Sequence, residues 1–223
     1  EDMGALATSV KPVVYYTFQY SSLARSGKWD QRWELNGLRD GAFPLVILER
    51  GTREDVDHYR RFTREFVSAL DRYYARTQTI GKYEIYTPAP LAHLQAADFG
   101  DALALVGWSA QPETLNAETL NLAIVWQAKR ALTRRHTAFV HLTQSSGEKV
   151  TQDDHEPFGG IYPTTRWAAN EMVRDVYALN VPRDLPPGKY LVRVGWYDSE
   201  TGDRLPVPGS ADNAVVLTML EIR

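Results

Sequence analysis

Leu120-Asn121-Leu122-Ala123-Ile124-Val125-Trp126 carries large apolar side chains at every second position, with Asn121, Ala123 and Val125 between them. Successive side chains of an extended chain point to opposite faces, so this stretch predicts a strand with one face in a core. Comparable runs recur at 102–108, 137–143, 172–179, 189–197 and 215–222. Turn-forming clusters separate several of them: Ser145-Ser146-Gly147, Gly159-Gly160, Pro186-Pro187-Gly188 and Thr201-Gly202-Asp203. Short strands at such spacing, with no strong helical pattern, predict an antiparallel β-sandwich over residues 100–223, of jelly-roll or Ig-like type. In it Trp126 and Trp196 share faces with aliphatic residues and belong to the core, while the sequence leaves Trp108 undecided.

Upstream the pattern changes. Val13-Val14-Tyr15-Tyr16-Thr17-Phe18 is β-branched and aromatic and predicts a strand. Ser21 or Ser22 is a candidate cap for a short helix ending at Gly27, and a second helix is expected over 31–40, closing at Gly41. Phe43-Pro44-Leu45-Val46-Ile47-Leu48 is a continuous apolar run, as in a strand covered on both faces, with Pro44 at its beginning. Thr52-Arg53-Glu54-Asp55 has the form of a capping box. Behind it Val56, Tyr59, Phe62, Phe66, Ala69, Leu70 and Tyr73 recur at helical spacing, predicting one helix from Thr52 to about Tyr74. Its other face, with Arg60, Arg61, Arg64 and Asp71, reads as solvated rather than as a binding patch. A closing strand is expected at 80–86. Residues 1–88 thus form a small α/β domain, 89–99 a linker within a stretch, 87–99, that holds two prolines and several alanines, and the whole chain is α+β.

Composition narrows the function. The 223 residues include 25 basic and 28 acidic side chains, for a net charge of −3, which gives no general attraction for nucleic acid or anionic lipid. The chain has no cysteine, which removes thiol chemistry, cysteine-ligated metals and disulfides. No apolar run approaches the ~18 residues that span a bilayer. Met3 does not open the chain and no signal peptide does, so the sequence is expected to be a piece of something longer.

The motifs of phosphate loops, dinucleotide sites, zinc peptidases and nucleophile elbows are all missing; Gly107-Trp108-Ser109-Ala110-Gln111 lacks the second glycine an elbow needs. His136 and His141 are five apart on one strand, so they face opposite sides and cannot share a metal. Asp153-Asp154-His155-Glu156 is the densest set of hard-cation ligands, but neighbouring side chains of an extended segment diverge and Pro157 stiffens its exit, so a polar surface loop is expected. The acidic run 198–203 reads as a hairpin turn. No catalytic residue, cofactor or metal site is expected. One binding candidate stands out: Tyr162, Arg166 and Trp167 lie in an irregular segment, 159–167, where an exposed tryptophan beside an arginine would stack a sugar ring. The competing reading has Trp167 plugging the open end of the sandwich, with Arg166 paired to a carboxylate such as Asp175.

Two sets of residues carry a resemblance. Pro12-Val13-Val14-Tyr15, Leu23-Ala24-Arg25-Ser26-Gly27-Lys28-Trp29-Asp30, Phe43-Pro44-Leu45-Val46-Ile47-Leu48 and Ile80-Gly81-Lys82-Tyr83-Glu84-Ile85-Tyr86-Thr87-Pro88 form the first. In this order they resemble the soluble stretch after the last membrane helices of bacterial GT-C-type glycosyltransferases, akin to protein O-mannosyltransferases. The second set is Phe139-Val140-His141-Leu142, Gly160-Ile161-Tyr162-Pro163-Thr164-Thr165-Arg166-Trp167, Arg174-Asp175, Leu185-Pro186-Pro187-Gly188-Lys189-Tyr190 and Gly195-Trp196-Tyr197-Asp198. It is similar to a β-sandwich module appended to the same class of membrane protein. The resemblance implies a non-catalytic extracytoplasmic region, because the catalytic acidic residues of that superfamily lie on loops between early membrane helices. It implies as partners the membrane-embedded part of the same polypeptide and an acceptor glycan or polypeptide. A ligand-free structural module and a soluble glycan hydrolase are the alternatives.

Overall fold

A computed structural model describes residues 17–51, 61–111 and 118–222. The chain divides into two compact units, residues 1–90 and 91–223.

Among the described residues the first unit holds three helices, α1 (Thr17–Arg25), α2 (Arg32–Arg39) and α3 (Arg64–Tyr73), and three strands, β1 (Val46–Glu49), β2 (Tyr74–Ile80) and β3 (Tyr83–Pro88). The sheet is antiparallel in the order β1-β3-β2. Leu38, Leu48, Phe66, Leu70, Tyr74 and Tyr86 make its core. The helix expected near 31–40 is α2, which Gly41 follows at φ 64°.

Four expectations are corrected here. Of the strand expected at 13–18, residues 13–16 lie outside the described residues, and Thr17 and Phe18 open α1 instead. Of the long helix expected from Thr52, residues 52–60 lie outside the described residues. Residues 61–63 are not helical, and the hydroxyl of Thr63 accepts the Phe66 N–H at 3.2 Å as the actual cap of α3. Asp71 is buried, and Arg61 pairs with Glu49 at 2.8 Å rather than lying on a solvated face. Finally, β1 is covered on one face only: Leu48 is buried while Ile47 is 52% exposed, because an edge strand of an antiparallel sheet has one apolar side to bury.

The second unit is a β-sandwich with eight antiparallel strands among the described residues: β4 (His93–Phe99), β5 (Leu103–Gln111), β6 (Thr119–Ala128), β7 (His136–Gln144), β8 (Lys149–His155), β9 (Met172–Asn180), β10 (Gly188–Asp198) and β11 (Val215–Ile222). One sheet runs β11-β10-β7-β8 and the other β4-β5-β6-β9. Leu120, Leu122, Ile124 and Trp126 of β6 face Val140, Leu142, Val192, Val194 and Trp196 of the opposing sheet within one core. The indoles of Trp126 and Trp196 meet edge to face at 5.0 Å, a favoured aromatic geometry.

Two of these strands run through segments expected to be linker and loop. Residues 93–99 form β4, and Lys149–His155 form β8, each an edge strand. Each lateral edge of the sandwich is clamped by polar side chains. On one side Gln95 of β4 donates to the Val216 carbonyl of β11 at 2.9 Å and accepts from the Trp108 indole at 3.1 Å. On the other, His155 of β8 lies 2.9 Å from Asp153 and 3.3 Å from Asp175 of β9, and stacks on the Tyr177 ring at 4.4 Å. Burial would depress the imidazole pKa, but the two carboxylates outweigh it and raise it to about 9.

Candidate functional site

Strand β7 alternates strictly. Ala138, Val140 and Leu142 enter the core, so Phe139, His141 and Thr143 point out from the β11-β10-β7-β8 sheet. An outward face is normally wet, yet all three are buried: Phe139 is 1% exposed, His141 9% and Thr143 4%. The cover comes from the connection between β10 and β11, residues 199–214, which folds back over the sheet.

That connection is held by its own hydrogen bonds. Asp198 Oδ1 accepts the backbone N–H groups of Glu200 and Thr201 at 2.9 and 3.1 Å, and Oδ2 accepts Arg134 at 2.7 Å. These donors hold the Asp198 carboxyl down at about 2, with Arg134 the largest contributor. The expected turn at 198–203 is therefore present, and it returns the chain so that Arg204 bridges Tyr197. Farther on, the Ser210 hydroxyl donates to Asp212 at 3.0 Å and accepts the Ala214 N–H at 3.1 Å.

The folded-back segment delivers two side chains to the sheet. The Arg204 guanidinium lies over the Phe139 ring, 4.3 Å from its centroid, and donates to the Asp212 carbonyl at 2.7 Å. The Asp212 carboxylate takes a two-point fork from Arg193 of β10, at 2.8 and 2.9 Å. Beneath, Gly195 faces Phe139 across the β7–β10 pair; a Cβ there would stand 2.3 Å from the ring and 2.9 Å from the Asn213 carbonyl. Glycine is required at 195 for this close approach.

Between these groups lies a concavity of about 260 Å³, floored by Phe139, His141 and Thr143 and walled by Arg193, Arg204, Asp212 and, across the β7–β8 turn, Lys149. Two polar atoms of its lining residues, Thr143 Oγ1 and Arg193 Nε, are buried without a protein hydrogen-bond partner. Leaving such an atom unpaired costs about 1–3 kcal/mol. His141 Nε2 lies 3.0 and 3.2 Å from the two oxygens of Asp154, which fixes the imidazole in place. Among the described lining residues the one carboxylate is Asp212, and Arg193 already holds it. The site therefore lacks the two carboxyl groups, about 5–9 Å apart, with which a glycoside hydrolase works.

The residues singled out in the sequence lie elsewhere. Trp167 is 2% exposed, packs edge-on against Trp196 at 6.0 Å and donates its indole N–H to the Tyr162 carbonyl at 3.1 Å. Tyr162 is equally buried and gives its hydroxyl to Glu171 at 2.8 Å. Neither ring offers a face to a sugar, because the segment 159–167 turns inward to close one end of the core. Arg166 is exposed and donates to the Ile161 carbonyl at 3.2 Å. Asp153 and Asp154 diverge, one toward His155 and the Ala178 N–H, the other toward His141. Among the described residues no group of three or more metal-ligating side chains is placed to hold a metal ion.

Sequence reasoning passed over Phe139, Thr143, Arg193 and Arg204. One signal was available: the outward parity of 137–143 carries Thr, Phe, His and Thr, and a phenylalanine on a wet sheet face asks for a cover.

No family model and no curated protein matches the chain. Among solved structures it is similar to the C-terminal domain of Wzt, at 12% identity over 56% of this chain and 74% of that one, with a TM-score of 0.41. It is also similar to a chain from Bacteroides fragilis assigned as a β-galactosidase, at 13% identity over 63% of this chain and 19% of that one, with a TM-score of 0.32. Likenesses this distant carry no argument about activity; the strand order itself identifies the second unit as an antiparallel β-sandwich.

Proposed function

We propose that the sandwich is a non-catalytic glycan-binding module whose ligand seats in the concavity on the β11-β10-β7-β8 sheet. The observation that carries this reading is the pairing of a strand-built floor with hydrogen-bonding groups that the fold leaves unused, Thr143 Oγ1 and Arg193 Nε. A volume of about 260 Å³ falls below the ~300–1,000 Å³ of pockets for larger ligands and suits one ring-sized group. The walls are guanidinium, ammonium, carboxylate and imidazole rather than aliphatic, as suits a ring bearing hydroxyls.

In the parent polypeptide the module would hold an acceptor glycan or polypeptide for a membrane glycosyltransferase, on the extracytoplasmic face of the bacterial cytoplasmic membrane. The resemblance of both units to that class supports this placement. Among the described residues no helix is long and apolar enough to cross a membrane, so the membrane-embedded partner would be another part of that polypeptide. Titration of the chain with a panel of oligosaccharides is expected to give binding that Thr143→Val weakens. A panel without any binding refutes the glycan reading. Unchanged transfer in membranes carrying the Thr143→Val parent enzyme refutes the acceptor role.

A ligand-free assembly module is the second reading. It is favoured by Val216 and Met219, 40% and 54% exposed on the edge strand β11. It requires association that grows with concentration in sedimentation and that pocket substitutions leave untouched.

A further inference from the structure

The charges around the concavity do not balance, and the imbalance says what kind of ring belongs there. Three cationic side chains, Lys149, Arg193 and Arg204, line it against the single carboxylate of Asp212. Arg193 is spent on that carboxylate through its two-point fork. Arg204 is engaged more weakly: its ion pair with the Asp212 carboxylate is 4.0 Å long, and its hydrogen bond goes to a neutral carbonyl. Its guanidinium is fixed by stacking on Phe139, so the orientation of its remaining N–H groups is set before any ligand arrives. Lys149, on the opposite wall, contacts the neutral amide of Gln152, and among the described residues no carboxylate is paired with it. Asp154, the other nearby acid, is engaged with His141 beside the floor.

From this we infer that the pocket takes an acidic saccharide, a ring bearing a carboxylate or phosphate whose charge is met by Arg204 and Lys149. The inference rests on the glycan reading above and narrows it. A neutral ring would leave the Lys149 ammonium without an anionic partner among the lining residues and Arg204 with only its long pair to Asp212. An anionic substituent gains a charge-assisted, planar contact with the arginine.

The test titrates the isotope-labelled full chain with glucuronate, galacturonate and glucose 6-phosphate, each beside its neutral parent sugar, and with inorganic phosphate alone. The readout is the amide shifts of Phe139, His141 and Thr143. The acids are expected to shift these amides at concentrations at least ten-fold below their parents. Arg204→Gln or Lys149→Gln should shrink the ten-fold preference for acid over parent to less than about two-fold. Lys149 lies on the turn side of the cleft, away from the Phe139 stack, so Lys149→Gln keeps the test open should Arg204→Gln disturb the connection. The carboxylate and phosphate arms separate the two sources of charge. Equal binding of acids and parents overturns the inference and leaves the glycan reading standing. Failure of every sugar overturns both. Inorganic phosphate acting as strongly as the sugar acids overturns the saccharide part and leaves a plain anion site.

Discussion

Removing the charge of His155 should unfasten one lateral edge of the sandwich. The imidazole of β8 is held by Asp153 on its own strand and by Asp175 on β9 of the other sheet, and it stacks on the Tyr177 ring. A rise from 6.5 to about 9 is some 2.5 pH units, or about 3 kcal/mol at 1.36 kcal/mol per unit. The folded pKa is raised, so this stabilisation is complete below about pH 6.5, where the unfolded chain also holds the proton. It declines by about 1.4 kcal/mol per pH unit between 6.5 and 9, as only the folded state keeps its proton, and is gone above that window. The assay is urea unfolding of the wild type and His155→Gln between pH 6 and 10, read by the fluorescence of the buried tryptophans Trp108, Trp126, Trp167 and Trp196. Trp29 and Trp33, 38% and 57% exposed in the folded chain, change less. Groups titrating elsewhere cancel in the difference between the two proteins, and the Tyr177 hydroxyl, pushed well above its usual range by burial, stays neutral throughout. The gap between wild type and variant should close by about 3 kcal/mol from pH 6 to pH 10. A gap independent of pH, or a His155 resonance titrating near 6.5, would refute the reasoning.

Other substitutions probe the pocket and the core. Thr143→Val replaces an unpaired buried hydroxyl with a methyl group, so thermal unfolding should show a gain of up to about 1 kcal/mol while ligand binding falls. Gly195→Ala drives a Cβ into the Phe139 ring and the Asn213 carbonyl. It should cost about 1–3 kcal/mol, measured by urea unfolding, and dislodge the Phe139–Arg204 stack. Trp167→Ala opens a cavity beside Trp196 and should cost about 3–5 kcal/mol; a stability loss below 1 kcal/mol would show that the ring is not a core element.

Local sequence determined what local physics controls. The alternation at 120–126 and in the other apolar runs specifies strands and their core faces, because the period of two is a property of the extended backbone alone. The placement of Trp126 and Trp196 in the core followed from the same parity, as did the opposite facing of His136 and His141. Edge strands escaped this reading. β8 has polar side chains on both faces and β4 carries a run of alanines, and what makes them strands is a neighbour far along the chain supplying hydrogen bonds. Trp167 was ambiguous for the same reason: an irregular segment has no period, so whether its ring turns in or out depends on the space left at the end of the core. Only the tertiary structure decided the candidate site. Phe139 and Arg204 are 65 positions apart in sequence, and they meet because the connection 199–214 folds back onto a sheet face that β7 and β10 build together. No pattern within either segment encodes that return, since it arises from closing a long loop onto a surface that exists only once the strands have paired.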